Sequence, residues 1–569
     1  MKPDLIRNVQ ERKVIGHASE LDCGRFALRS WIGICAFGWM TGLTPVFAGN
    51  APPVPTAGGA AIESQKTQQD VEKLFRPEAT GPSLEGPPRP QQDVGKKGGV
   101  TFPLKRVDFD ASRFVSQAEL QAIAAPYVGR KVDISDLQTI VKKVNDVFAA
   151  RNLITAIAYL PPQDLGQGVL HVAIVEGKLG EMAVKGNRIL SDGWIRSAVD
   201  VAPGAVVDVP AIERDVARFN VSSNAQIRAA LKPGVDFGLT DITLSVLEPP
   251  TDSVQAFFDN QGSKATGIWE GGLNYQRYNI LGIDDKLFFN VLGSEGNHNF
   301  NLAYNLPFNR WGGRLGVSAG YGQIQVVGGD YKFLNITGTS ENEAFNISQP
   351  LYVDPSWALL LNGSVGRSVS KSEQSGISIA QNETIKETAG LTASYAGAVL
   401  AFSVSPSIST NQAFLHIGGS RYQFTSANLS AAGTVQMPLG FVGKVNGSAQ
   451  WANRTQLTGD QQFQIGGPLS VRGYDTGSAS GYAGYSLSVE LHHTVAPQLQ
   501  GLDAFVFYDR GSVYNPFPKA IAMESVGAGL SWTASKNLVA DLSFGVPIAR
   551  AVDGQPRYAV YLRLATSWP

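Results

Sequence analysis

Val471-Arg472-Gly473-Tyr474 follows Gly466-Gly467, and Phe507-Tyr508-Asp509-Arg510-Gly511 comes about one strand pair later. The segments around both alternate apolar and polar residues, as the strands of a membrane barrel do. An arginine in a glycine-rich loop and an aspartate on a neighbouring strand can meet as an ion pair inside such a barrel. That pairing would hold a long loop in the lumen, which suits a protein-conducting pore rather than a simple porin.

Composition agrees with a barrel. Charged residues make up 17% of the 569, glycines number 62, and mean hydropathy is only -0.05. Helical membrane proteins need ~20 consecutive apolar residues per span, which this balance does not supply. In a membrane β-strand each lipid-facing side chain is followed by a lumen-facing one, so mean hydropathy averages out.

The N-terminus reads as an export signal over residues 1–48. Lys2, Arg7, Arg12, Lys13, Arg25 and Arg29 form a long basic region. The apolar stretch from Trp31 to Leu43 follows, then Val46-Phe47-Ala48 as a cleavage motif. A later start codon is the alternative, but Met40 would destroy the signal. A retained anchor is disfavoured by the short apolar run. Cys23 and Cys35 both lie in this segment, so the mature chain would have no thiol for disulfides, catalysis or metal. Its small net negative charge gives no reason to expect nucleic-acid binding.

Residues 49–100 read as a linker, punctuated by Pro52-Pro53, Pro87-Pro88, Pro90 and Lys96-Lys97-Gly98-Gly99. A polar helix is expected from about Ala61 to Phe75, as a docked element or a transient helix in a disordered tether. Residues 101–177 and 178–250 each follow the order strand, helix, helix, strand, strand. In the first, Phe102–Phe109 reads as a strand and Ala118–Ala125 and Ser135–Ala150 as helices. Leu137, Ile140, Val141, Val144 and Phe148 share one helical face. Strands Ile154–Leu160 and Val169–Val175 close this module. The second has Glu181–Lys185, helices Asp192–Val199 and Pro210–Phe219, then Ala225–Leu231 and Ile242–Leu247.

From Ser253 to the end no convincing helix is expected. Lys286–Leu292, Asn299–Leu306, Arg314–Val326, Leu391–Val404, Phe441–Trp451, Tyr482–Val495, Ala504–Tyr514 and Leu538–Val546 all alternate. At ~9–11 residues per span, residues 251–569 accommodate about 16 antiparallel strands. The regions 331–350 and 410–435 can be divided in more than one way. Tyr558, Val560, Leu562, Leu564, Thr566 and Trp568 share one face of a final strand. An aromatic-ended strand of this kind is what outer-membrane barrel-assembly machinery recognises, although Pro569 departs from the usual terminal Phe.

The chain resembles the two-partner secretion transporters, the hemolysin or hemagglutinin secretion/activation proteins of Gram-negative outer membranes. The ordered set that carries the resemblance is Tyr127-Val128-Gly129, then Phe148-Ala149-Ala150-Arg151-Asn152-Leu153-Ile154. Leu160-Pro161-Pro162-Gln163-Asp164-Leu165, Val175-Glu176-Gly177 and Gly186-Asn187 complete it. The resemblance implies a membrane all-β barrel preceded by two small α/β POTRA domains in the periplasm. It implies that Val471, Arg472, Gly473 and Tyr474 tip a long sixth extracellular loop, locked to Asp509 and Gly511 on the barrel wall. The implied client is a secreted exoprotein with an N-terminal secretion domain, docked at a POTRA sheet edge and threaded through the lumen without ATP. The helix near 61–75 would be a plug in the resting pore. Outer-membrane lipid and the barrel-assembly machinery would be the other partners. A barrel-assembly insertase is the alternative reading; a passive porin leaves both α/β modules unexplained.

Nothing in the sequence suggests an enzyme, a cofactor or a metal site. Gly316-Val317-Ser318-Ala319-Gly320 fits the G-x-S-x-G pattern but lies in an alternating segment with no following helix. His492 and His493 point to opposite faces of one strand, so they cannot chelate one metal. His17, His171, His298 and His416 lack ligand-like spacing. Glu490 faces either Arg472 across the lumen or solvent.

Overall fold

In lipid, every backbone amide needs a partner within the chain, and strands meet that demand only when the sheet closes on itself. A computed structural model describes residues 52–74, 84, 85, 98, 100–495, 499 and 501–569. The expected signal peptide and the Pro87-Pro88, Pro90 and Lys96-Lys97 linker lie outside them. Among the described residues, sixteen antiparallel strands close into one barrel, from Asp252–Asp259 round to Ala559–Trp568. The first and last strands pair from Val254 with Trp568 to Asp259 with Arg563, which leaves no sheet edge.

Strand length varies around the barrel. Asp252–Asp259 has 8 residues and Glu270–Tyr278 has 9, close to one membrane crossing. Trp357–Gln374 has 18 and Ile377–Ala396 has 20, so both continue beyond the lipid. On Trp357–Gln374 the outward residues run Trp357, Leu359, Leu361, Val365, then Arg367. There Arg367 Nε donates to Glu383 Oε1 of the next strand at 2.7 Å, and lipid-facing chemistry stops. Trp357, Tyr395 and Phe402 cluster on the outer surface, with ring centroids 4.9 and 5.7 Å from Trp357, as an interfacial aromatic belt does. On the final strand Tyr558, Val560, Leu564 and Trp568 are exposed outward, while Tyr561, Arg563 and Ala565 are buried inward.

Some expected elements shift. Leu391–Val404 is not one strand: Ile377–Ala396 and Leu400–Leu415 meet there in a hairpin whose Gly397 N–H donates to Leu400 O. The turn is built from Gly397-Ala398-Val399, whose small apolar residues continue the strand texture and hide the reversal. Phe102–Phe109 is two short strands, Phe102–Pro103 and Arg106–Phe109, in different sheets. Between them Leu104 N–H bonds Arg130 O and Lys105 N–H bonds Gly168 O. The 331–350 region resolves into a 3₁₀ turn at Lys332–Leu334 and one strand, Ile336–Val353. The 410–435 region divides at Gly418-Gly419, both at positive φ.

Helix α1 (Ala57–Leu74) begins four residues before its expected start, because Gly58 and Gly59 look like poor helix formers. In the first α/β module, α2 (Gln117–Ala124) and α3 (Ile134–Ala150) cover the sheet of Arg106–Phe109, Val169–Glu176 and Ala156–Tyr159. Leu137, Ile140, Val144 and Phe148 of α3 pack on Val107, Leu170 and Val172. Asp133 caps α3 reciprocally with Asp136. The Ser135 hydroxyl and the backbone N–H groups bonded to Asp133 hold its carboxyl down at about 2. In the second module, α4 (Asp192–Ser197) and α5 (Val209–Ser222) cover Lys178–Lys185, Gln226–Pro233 and Leu239–Leu247. The free edge of that sheet takes Leu84–Glu85 as an added parallel strand, Leu84 opposite Ala229.

The second module is bolted to the barrel chiefly at the 279–285 turn, with Arg310 of the next turn reaching Asp200. Asp284 accepts the N–H groups of Asn224 and Ala225 at 3.1 and 3.3 Å and the Arg314 guanidinium at 2.6 Å. Asn279 Nδ2 donates to Ile189 O at 2.6 Å. These bonds set the second module at one mouth of the pore, and the first module joins it through Asn152 Nδ2, which donates to Glu213 at 2.8 Å.

Candidate functional site

Two segments that belong to no wall strand fill the lumen. The first lies between strands Phe441–Ala452 and Ala483–Thr494 and contains the 471–474 motif. On strand Leu502–Tyr514 alternation turns Phe505, Phe507, Asp509 and Gly511 inward; Ala483–Thr494 does the same for Ser488, Glu490 and His492. The loop descends onto this surface, and the structure brings all six expected site residues together.

Arg472 is 7% exposed and Asp509 is fully buried. Arg472 Nε and Nη2 donate to the two carboxylate oxygens of Asp509, each at 2.8 Å, and its backbone N–H adds a third bond at 3.0 Å. Nη1 donates to Glu490 Oε1 at 2.6 Å and Nη2 to Ser488 Oγ at 2.8 Å. The guanidinium carbon lies 3.5 Å from the Phe507 ring centroid. Four of the five N–H groups of the planar fork are thus used, and such partnering is what compensates a buried pair.

The neighbouring residues make the close approach possible. Gly473 has φ +89°, and a Cβ there would lie 3.0 Å from Pro547 Cδ. Its N–H donates to Tyr561 Oη at 3.0 Å, and that hydroxyl donates to Tyr474 O at 2.8 Å. A Cβ on Gly511 would come 2.9 Å from Val471 Cγ2, so the motif's last glycine makes room for the loop. Tyr474 is fully buried with Val471, Ile465, Val513 and Met523, and its hydroxyl donates to Ala549 O at 2.6 Å.

Glu490 faces Arg472, and its other oxygen meets His492 Nε2 at 2.8 Å; His493 lies on the opposite face. Sequence reading missed Tyr561 and Ser488, which touch the loop from strands whose inward faces carry no motif. Ser318 sits in the pleat of strand Arg314–Gln325 rather than on an elbow. Among the described residues no group of His, Cys, Asp or Glu is placed to hold a metal ion.

The second lumenal segment is α1. Its Ser64 hydroxyl accepts from Asn297 and Asn299 Nδ2 at 3.0 and 2.9 Å, and Gln68 Oε1 accepts from Asn301 at 3.1 Å. Gly58 N–H donates to Ser370 Oγ at 3.1 Å. Asp70 pairs with Arg563 Nη1 at 2.8 Å, and Arg563 in turn bonds Asp259 at 2.9 Å. Lys286 reaches Glu72 at 3.3 Å, and Val71 packs on Phe257, Leu292 and Ala565. The helix also touches the loop: a Cβ on Gly58 would lie 2.6 Å from Asp460 Cβ, and one on Gly477 would lie 2.2 Å from Glu63 Oε1. Burial there pushes the Glu63 carboxyl up to about 7, with nearby Lys66 pulling the other way.

A closed barrel with two α/β modules at one mouth and two segments folded into its lumen defines an outer-membrane transporter of the POTRA-barrel class. Residues 238–534 match the family model described as haemolysin secretion/activation protein ShlB/FhaC/HecB, and residues 102–177 match the POTRA domain, ShlB-type. The chain belongs to the ShlB/FhaC/HecB haemolysin secretion/activation family. Its relatives include the heme/hemopexin transporter protein HuxB of Haemophilus influenzae, 24% identical over 82% of this chain and 87% of that protein. The outer membrane transporter CdiB of Dickeya dadantii is 22% identical over 80% and 85%. Among solved structures, CdiB from Escherichia coli superposes with a TM-score of 0.69 at 20% identity, covering 90% of this chain and 99% of that one. BamA from Haemophilus ducreyi, lacking POTRA domains 1–3, has a TM-score of 0.50 at 15% identity over 82% of this chain and 100% of that one, a likeness of fold alone. The protein is an outer-membrane β-barrel transporter of the two-partner secretion type, with its POTRA region in the periplasm.

Proposed function

We propose that this transporter secretes one large exoprotein, which reaches it unfolded and docks through an N-terminal secretion domain. The observation that carries the reading is the double filling of the lumen: a loop bound by buried charges and a separate helix bound by weaker contacts. A pore for small solutes has no need of a removable helix. The added strand at Leu84–Glu85 supports docking by β-augmentation, since the Gln226–Pro233 edge already accepts a backbone there. In this reading the client displaces that strand, α1 leaves the pore, and the extended chain passes through and folds outside. Weak binding inside and folding outside give the direction, with no ATP.

In this reading Val471, Arg472, Gly473, Tyr474, Asp509 and Gly511 lock the loop to the wall and keep the lumen shaped while the chain moves. Residues 49–100 form the plug and its tether, 101–177 and 178–250 the two POTRA domains, and 251–569 the barrel. Outer-membrane lipid and the barrel-assembly machinery are the partners for insertion.

Comparing culture-supernatant proteins with and without the gene tests the function. Loss of one large secreted protein, with outer-membrane barrels unchanged, is the expected result. Depleted outer-membrane barrels with an unchanged supernatant would make the protein an insertase instead. Arg472→Ala should leave the barrel inserted but cut secretion; normal secretion from that variant would remove the loop's assigned role.

A further inference from the structure

The wall of the lumen is divided by charge. On seven consecutive strands, from Asn297–Pro307 round to Ser420–Gln436, the inward positions are mostly Asn, Ser, Thr, Gly and Ala. One row across them reads Asn346, Ser364, Thr388, Ser409 and Ser426, each directly opposite the next. The inward charges of this half are Arg314, tied to Asp284 at the periplasmic mouth, and Lys386. The remaining strands carry Asp259, Glu270, Glu490, Asp509, Asp541 and Arg563 on their inward face.

Helix α1 respects the same division. Its neutral groups meet the neutral half: Ser64 at Asn297 and Asn299, Gln68 at Asn301, and the Gly58 backbone N–H at Ser370. Its carboxylates turn to Arg563 and Lys286. The neutral half therefore already holds a polypeptide, one of its contacts being a backbone amide.

We propose that this neutral half is the track along which the unfolded client chain slides, in the space α1 holds at rest. Asn side chains donate and accept, and Ser and Thr hydroxyls rotate to do either, so they can serve the peptide group of any passing residue. Such bonds are weak against water and exchange readily, whereas a desolvated charge would grip each oppositely charged client residue. Over the inward Gly320 and Gly322 lie the amide and hydroxyl groups of Asn299, Asn301, Ser340 and Asn342, so the neutral donors and acceptors are continuous there.

The inference rests on the secretion reading, and one experiment separates the two. With Cys23 and Cys35 in the expected signal segment, single cysteines can be placed in the full-length protein at Ser364→Cys and Ser407→Cys on the neutral half. Ser531→Cys and Ser543→Cys serve on the charged half. Each is labelled with benzophenone-maleimide and irradiated in cells during secretion. Several-fold more high-mass adduct at 364 and 407 than at 531 and 543 is expected. Equal adducts at all four, or adducts only at 531 and 543, would overturn the track and leave secretion standing. No adduct at any position would overturn both.

Discussion

The loop and the helix occupy the same lumen but are held by opposite means. Arg472 is buried and held by Asp509, Glu490, Ser488 and an aromatic face, while Tyr474 is sealed in an apolar cluster. Helix α1 relies on neutral hydrogen bonds, on Val71 packing, and on two partly exposed carboxylates, Glu72 at Lys286 and Asp70, 40% exposed, beside Arg563. Removing one partner of a buried ion pair strands a charge away from water, whereas an exposed pair can trade its partner for solvent. On the proposed reading, one segment stays and the other leaves. That contrast is what a gated polypeptide pore requires.

The largest break in this contrast should come from Asp509→Ala, which leaves Arg472 buried without its bidentate acceptor. The loop-docked state should lose about 3–5 kcal/mol. Thermal unfolding of the detergent-solubilised protein and proteolysis of the 453–482 segment would read it; wild-type protection of that segment would show the apolar cluster alone suffices. Tyr474→Phe removes the hydroxyl bond to Ala549 O and should cost about 1 kcal/mol by the same measurements.

On the helix side, Asp70→Asn should be worth less than about 1 kcal/mol, because Arg563 keeps Asp259. Its readout is a modest rise in the frequency of large openings in planar bilayers. An effect as large as that of Asp509→Ala would erase the distinction between the two segments.

A separate effect concerns pH. Glu63, on a helix that does not span the membrane, has its carboxyl raised by burial when α1 is docked. A free helix ionises near the ordinary carboxylate value, so docking should weaken as pH rises from about 4.5 to about 7 and level off above. Openings should be rarer at pH 5 than at pH 7.5, and Glu63→Gln should remove that dependence. A helix that docks more firmly at pH 7.5 would contradict the placement of Glu63.

Much of the loop anchor was legible because its chemistry is local: a glycine-flanked Arg and a Phe-x-Asp-x-Gly segment each signal themselves in a few residues. Tyr561 was not, because the outward face of its strand carries the strong aromatic pattern and hides the inward one. Glu490 stayed open, since alternation alone gives its face and not its partner. The hairpin inside 391–404 was lost because Gly397-Ala398-Val399 resembles the strands it joins. The two glycines at the start of α1 lie outside the expected 61–75 helix, yet they allow close packing on Asp460 and Gln464.

By itself, the sequence determined that this is a membrane barrel behind two α/β modules, because side-chain alternation and helical periodicity are short-range consequences of backbone geometry. The family resemblance of its motifs also implied that Arg472 and Asp509 belong together. Only the tertiary structure decided that α1 sits inside the pore, that Arg563 links it to the barrel seam, and that neutral and charged residues occupy separate halves of the lumen. Those facts depend on closure, which brings the first strand beside the last and sets residues hundreds of positions apart around one cavity.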